Sequence, residues 1–204
     1  MQLDHLVVAG QTLEAAVEHS EAALGQSLRP GGRHESFGTY NQLLGFAGRE
    51  YFEAIAIDPD GVDPGRPRWF GLDGFTGAPR LVTWVARVPD LAAAVALWPE
   101  AGEITEFQRG DLRWRMAVPR DGALAFGGVV PMLIEWQGEL HPSRNLGEAG
   151  GQITALSLRT PEPQAVADLL ARLGLSDPRI QIEAAPATSL RALIGTPQGS
   201  RVLA

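Results

Sequence analysis

The sequence predicts an α+β fold of repeated β-α-β-β-β units, two of them paired around a cleft and a third, shorter one beside them. Three features lead there. Three stretches share one plan: "LDHLVVAGQTLEAAVEHSEAALG" from Leu3, "LVTWVARVPDLAAAVALWPEAG" from Leu81 and "ITALSLRTPEPQAVADLLARLGL" from Ile153. Strand-like runs follow the helix of every stretch. An open sheet with one helix also leaves a face uncovered, and two such units side by side can bury it by curling around a shared interior.

Each stretch begins with a short apolar strand of β-branched or bulky residues, then a polar or Pro-containing break, then an Ala-rich amphipathic helix. Gly25 and Gly174 stand where a glycine ends a helix. The first two copies align without a gap: Leu13 meets Leu91, Val17 meets Val95 and His5 meets Thr83. Aligning Gly174 with Gly25 puts Thr154 opposite His5 in the third.

The strands expected after the first helix are Arg33–Thr39, Asn41–Phe46 and Tyr51–Ile57. After the second they are Glu103–Arg109, Leu112–Val118 and Met132–Gln137, and after the third Ile180–Ala184, Leu190–Ile194 and a short Arg201–Leu203. Turn signals at Gly48-Arg49, Gly110-Asp111, Pro186 and Pro197-Gln198-Gly199 separate them. The units therefore span 1–58, 80–137 and 151–204, joined by Gly/Pro-rich connectors into one protein.

With 204 residues and a net charge of −7, the chain has ample length for a core and no basic stripe for nucleic acid. It lacks cysteine, which excludes disulfides, thiolate metal sites and cysteine nucleophiles. No apolar run is long enough for a bilayer, and "MQLDHLVVAG" lacks the pattern of a signal peptide, so a cytoplasmic protein is expected. There is no phosphate-binding loop with its lysine (the chain has no lysine) and no nucleophile elbow.

One residue breaks the apolar pattern. Tyr51–Ile57 is apolar on both alternating faces, yet it contains Glu53. A carboxylate on such a strand is costly to desolvate without a partner. The partner is either a core arginine such as Arg87 or Arg115, or a ligand in the cleft. Glu135 in "MLIEWQG" repeats the oddity in the second unit.

Repeated β-α-β-β-β units, "DHLVVAG" at the start, "YFEAIAIDP" closing the first unit and "GTPQGSRVL" closing the third resemble the vicinal oxygen chelate superfamily of glyoxalases, extradiol dioxygenases, epimerases and bleomycin-resistance proteins. The stretch "GGRHESFGTYNQLLGF" resembles its glyoxalase-like branch. The resemblance spans the whole chain and implies a divalent metal held by first and last strands of two paired units. It places His5, Glu53 and Glu135 at three of the four ligand positions, with Thr83, a poor donor, at the fourth. One imidazole and two carboxylates suit Mn²⁺, Fe²⁺, Zn²⁺, Ni²⁺ or Mg²⁺.

Around that centre, Glu53, Glu135 and His34 are the candidates for acid-base work, and Asn41, Thr39, Trp114 and His141 for substrate binding. Each has a structural alternative: turn chemistry for Thr39 and Asn41, core packing for Trp114, a surface loop for His141. Alternation puts Thr39 and Asn41 on one face. Two functions remain open: a metal-dependent lyase, isomerase or dioxygenase acting on a small oxygenated molecule, or a non-catalytic protein that sequesters a small molecule in the same cleft. The short last strand of the third unit leaves an edge suited to a homodimer.

Overall fold

Strand β1 (Gln2–Ala9) is buried on both faces along nearly its whole length, which puts it at the centre of a sheet. The computed structural model describes residues 1–148 and 150–204. In it β1 is followed by helix α1 (Leu13–Leu24) and strands β2 (Arg29–His34), β3 (Thr39–Phe46) and β4 (Glu50–Ile57). The second unit runs β5 (Arg80–Arg87), α2 (Leu91–Leu97), β6 (Glu103–Arg109), β7 (Leu112–Val118) and β8 (Met132–Trp136). A short helix α3 (Ser143–Leu146) leads to β9 (Gln152–Thr160), α4 (Pro163–Arg172), β10 (Ile180–Ala184), β11 (Ser189–Thr196) and β12 (Gly199–Leu203). Among the described residues no helix is long and apolar enough to cross a membrane.

The helix ends follow local chemistry. Thr12 and Asp90 accept hydrogen bonds from the backbone of Ala15 and Ala93 at the starts of α1 and α2. Gly25 closes α1 in the left-handed conformation, φ 67°, its N–H bonded to Glu21 O.

Eight strands form one sheet in the order β2-β3-β4-β1-β5-β8-β7-β6. The central pair, β1 and β5, is antiparallel, with His5 opposite Val85 and Val7 opposite Thr83. The sequence repeat equates His5 with Thr83 and Val7 with Val85, so each pair maps onto the other. The two units are thus related by a two-fold axis through this strand pair. The sheet curls until its two edge strands meet: a Cβ added to Gly32 on β2 would lie 2.9 Å from Arg109 Cδ on β6. Its convex face packs on the helices and the remaining strands in the larger core. Its concave face holds a second apolar cluster that includes Val7, Ile55, Val85, Met116 and Ile134.

The last four strands make a separate sheet, ordered β10-β9-β11-β12. The element order β-α-β-β-β recurs here, but the pairing differs. In the first two units the fourth strand lies parallel beside the first. In the third, β10 follows its crossover helix directly alongside β9. Arg179 fastens this sheet to the first unit through Glu50 at 2.6 Å, while also bonding Asp177.

The expected strand Arg33–Thr39 is displaced. The strand is Arg29–His34, and the chain turns at 35–38, where Gly38 has φ 57°. Pro30 reads as a breaker in the sequence, but β2 is an edge strand, where a missing N–H costs no ladder bond.

Candidate functional site

A β-bulge starts the site. Between Leu3 and His5 the pairing of β1 with β5 slips, leaving Asp4 without a partner. Successive residues of a regular strand point to opposite faces. Here the slip lets Asp4 Oδ1 bond the Nδ1 of its neighbour His5 at 2.8 Å. Asp4 is fully buried, and its other oxygen accepts from His141 Nε2 at 3.1 Å and Trp136 Nε1 at 3.1 Å, with Arg87 at 3.4 Å. Burial works against its charge, but these histidine bonds hold its pKa well below the usual carboxylate range.

His5 carries the line into the pocket. Its ring stacks on Tyr51, its register partner on β4, at 4.3 Å. Its Nε2 lies 3.6 Å from Glu53 Oε2. Burial alone would lower the His5 pKa, yet bonds to Asp4 and Glu53 raise it above the ordinary value. Glu53 is lowered in turn: desolvation is overcome by His5, His34 and Asn41. The two flanking carboxylates thus favour the protonated form of His5.

The far wall comes from β2, β3 and β6. Asn41 donates its amide to Glu53 Oε1, and its own oxygen accepts from Gly32 N at 3.0 Å and Arg109 Nη1 at 3.1 Å. A side chain on Gly31 would overlap that oxygen, so the Gly-Gly bulge opposite Asn41 requires glycine there. His34 Nε2 accepts from Arg109 Nη1 at 3.3 Å, which leaves Nδ1–H to donate to Thr39 Oγ1 at 3.0 Å. Burial and the nearby Arg109 cation push the His34 pKa down to about 4, so its ring is neutral.

Aromatic rings close the space. Trp69 meets His34 edge-on at 5.0 Å and packs on Phe107 at 4.9 Å. Phe107 stacks on Trp114 at 5.6 Å, and Trp114 contacts Trp136 at 5.5 Å. Phe70 lines the pocket from a turn in which it has φ 58°, an unusual conformation for a bulky residue. The free volume at the centre is about 20 Å³, room for one water-sized group.

The sequence expectations divide here. His5, Glu53, His34, Asn41 and Trp114 all line the pocket. Glu53 does not meet Arg87 or Arg115; those arginines pair with Asp4 and Glu135. Thr39 is buried behind His34 as its hydrogen-bond partner. His141 is no surface residue; it is buried behind the bulge, bonded to Asp4 and Ser143.

Glu135 is not at the pocket. Its neighbours Ile134 and Trp136 line the cavity, so alternation turns Glu135 to the other face. There it binds Arg115 at 2.8 Å and accepts from Leu91 N at 2.7 Å, at the start of α2. Register gives the reason. Glu53 stands opposite Val7, and Val7 corresponds to Val85, which stands opposite Met132. Met132, not Glu135, is the counterpart of Glu53. Arg109, Tyr51, Trp69 and Asp4 escaped the sequence reading; only Asp4, a charge interrupting the apolar first strand, carried a visible signal.

A family model described as a glyoxalase-like domain matches residues 3–174. The chain belongs to this family. The glyoxalase-like domain is part of the vicinal oxygen chelate superfamily. No curated protein sequence matches the chain. Among solved structures, a hypothetical protein from Staphylococcus aureus is similar over 92% of this chain and 88% of its own, at 14% identity and a TM-score of 0.61. A methylmalonyl-CoA epimerase from Mycobacterium tuberculosis matches over 68% of this chain and 89% of its own, at 22% identity and a TM-score of 0.43. The first of these likenesses concerns the fold alone.

Divalent metals are common in the superfamily, but the donor set of this glyoxalase-like domain does not fit the expected centre. Thr83 replaces one ligand and donates its hydroxyl to Gly128 O at 3.0 Å. Met132 replaces another, and Glu135 faces away. His5 and Glu53 remain, with His5 flanked by the carboxylates of Asp4 and Glu53, which favour its protonated form over a free imidazole lone pair. Among the described residues no three histidine or acidic side chains are grouped to hold an ion.

Proposed function

We propose that this protein is an enzyme that moves a proton on a small oxygenated molecule. Glu53 is the group that accepts the proton, and protonated His5 is the group that stabilises the oxyanion. The observation that carries this reading is the 3.6 Å approach of His5 Nε2 to Glu53 Oε2 inside an aromatic pocket.

The step is a carbon acid ionisation. The C–H bond beside a carbonyl breaks, its proton passes to Glu53, and the electron pair moves onto the carbonyl oxygen beside the His5 imidazolium. Return of the proton to the other face or to an adjacent carbon completes an isomerisation; departure of a β-substituent makes the reaction a lyase. Asn41 and His5 hold Glu53 ionised, so it is a weak base. This matches a substrate whose C–H is already acidified by a second carbonyl. Asp4 keeps His5 oriented and charged, as a buried carboxylate does for a neighbouring imidazole. No step runs through a metal, because among the described residues no three histidine or acidic side chains are grouped to hold one.

Hydrogen–deuterium exchange tests the reading. In D₂O, phenylpyruvate, 2-oxobutanoate and 2,4-pentanedione should exchange faster with the protein than in buffer, for at least one of the three. Glu53→Gln should remove about 100-fold or more of that acceleration. Acceleration that survives in Glu53→Gln would overturn the assignment. Binding without exchange would favour sequestration, a reading supported by the hydrogen bonds that already occupy most polar groups of the pocket.

A further inference from the structure

Among the described residues, one donor in the pocket has no acceptor and another has no anionic partner. Trp69 is 2% exposed, lines the cavity, and its indole N–H is buried with no hydrogen-bond partner among the described residues. A buried donor left unsatisfied carries a desolvation cost that a ligand acceptor would relieve. Arg109, half-buried on the opposite wall, bonds only the neutral acceptors His34 Nε2 and Asn41 Oδ1. No carboxylate of the described residues is within ion-pair distance of it, although most buried or half-buried arginines here have one, including Arg87, Arg115 and Arg179.

The charges around these donors leave room for an anion. Glu53 shares the pocket, but its charge is met by His5. Neutral His34 contacts both residues, 5.0 Å from the Trp69 ring centre and 3.3 Å from Arg109 Nη1. The rest of the lining is apolar or aromatic: Phe70, Trp114, Met116, Ile134 and Trp136.

We infer that the pocket recognises a small carboxylate, held by the Arg109 guanidinium and the Trp69 indole N–H, with an apolar body against the tryptophans. This deepens the proposed reaction by naming its substrate class, a carboxylic acid whose enolisable carbonyl reaches Glu53 and His5. A carboxylate matches both donors at once, since Arg109 can present two N–H groups and the ionised acceptor strengthens each bond. The small free volume means that a wall must shift to admit it, and the turn bearing Phe70 is the strained part of the wall.

Binding of acids that cannot enolise in the pocket's sense separates recognition from reaction. Acetate and benzoate would be titrated into the whole protein against acetamide and benzamide, following the indole N–H resonances, with Trp69→Phe assigning the residue. At least one acid should bind about tenfold or more tighter than its amide and shift the Trp69 resonance. Trp69→Phe and Arg109→Gln should each erase most of that preference, weakening the acid more than the amide. Arg109→Lys, the more conservative change, should keep part of it. Equal affinity for acid and amide, no binding of either acid, or an unaltered preference in Trp69→Phe would overturn the inference. Acid preference without deuterium exchange would sink the proposed reaction and leave this inference standing. Exchange on 2,4-pentanedione without acid preference would do the reverse.

Discussion

Asp4 and His5 are neighbours on one strand and yet hydrogen-bond each other at 2.8 Å, because a bulge removes Asp4 from the pairing ladder. The bond places a buried negative charge behind the imidazole and fixes which of its nitrogens faces the pocket. Asp4→Asn should therefore lower the His5 pKa toward the ordinary histidine value, read by NMR titration of the ring. It should also cost about 1–3 kcal/mol of stability, since His141 and Trp136 lose a charged acceptor. An unchanged His5 titration would show that Asp4 does not set its charge.

Acid stability should report His34. Its pKa falls from 6.5 in an unfolded chain to about 4 in the fold. Between these values the unfolded chain binds a proton that the folded one refuses, so stability falls with pH by about 3 kcal/mol across that window. Asp4 and Glu53, depressed in the fold, extend the loss at still lower pH. His5 acts oppositely: its contribution is complete below 6.5 and disappears as pH rises through its raised folded value. Denaturant titrations of His34→Gln should show a shallower acid limb than wild type; an identical slope would refute the assignment.

Asn41 joins both units through its amide. Asn41→Ala leaves Glu53 and Gly32 each short of a buried partner and should destabilise by about 2–4 kcal/mol. Gly31→Ala acts on the same contact by displacing the Asn41 oxygen. The double variant should therefore cost less than the two singles added together, measured by urea unfolding.

Glu135 should behave as a structural residue. Glu135→Gln weakens the acceptor for Leu91 N–H at the start of α2, at a cost of about 1 kcal/mol. Ligand affinity in the pocket should stay within twofold of wild type. A large loss of affinity would mean that β8 presents this side chain to the cleft.

Removal of Arg179 should loosen the second sheet. Glu50 is 5% exposed and its pKa is already raised by burial, against the pull of Arg179. Arg179→Met strands that carboxyl and should cost about 2 kcal/mol. Faster hydrogen exchange in β9 and β11 than in β1 would localise the effect.

Much of this protein is settled by local pattern. Which runs become strands, with the exception of β2, where Gly25 ends α1, that Thr39 and Asn41 share a face, and that Glu53 needs a buried partner all follow from patterns spanning a few residues. What those residues meet is another matter. Glu135 looked equivalent to Glu53, but the pairing of β5 with β8 assigns that place to Met132, and a strand shifted by an odd number of residues presents the opposite face. Arg109 reaches His34 only because the eight-stranded sheet curls until β2 and β6 touch, and Trp69 arrives from a connector with no strand pattern of its own. Alternation is a property of adjacent residues, so the sequence by itself determined the strands and their faces. Register, bulges and curl depend on contacts between distant segments, so only the tertiary structure decided the composition of the pocket.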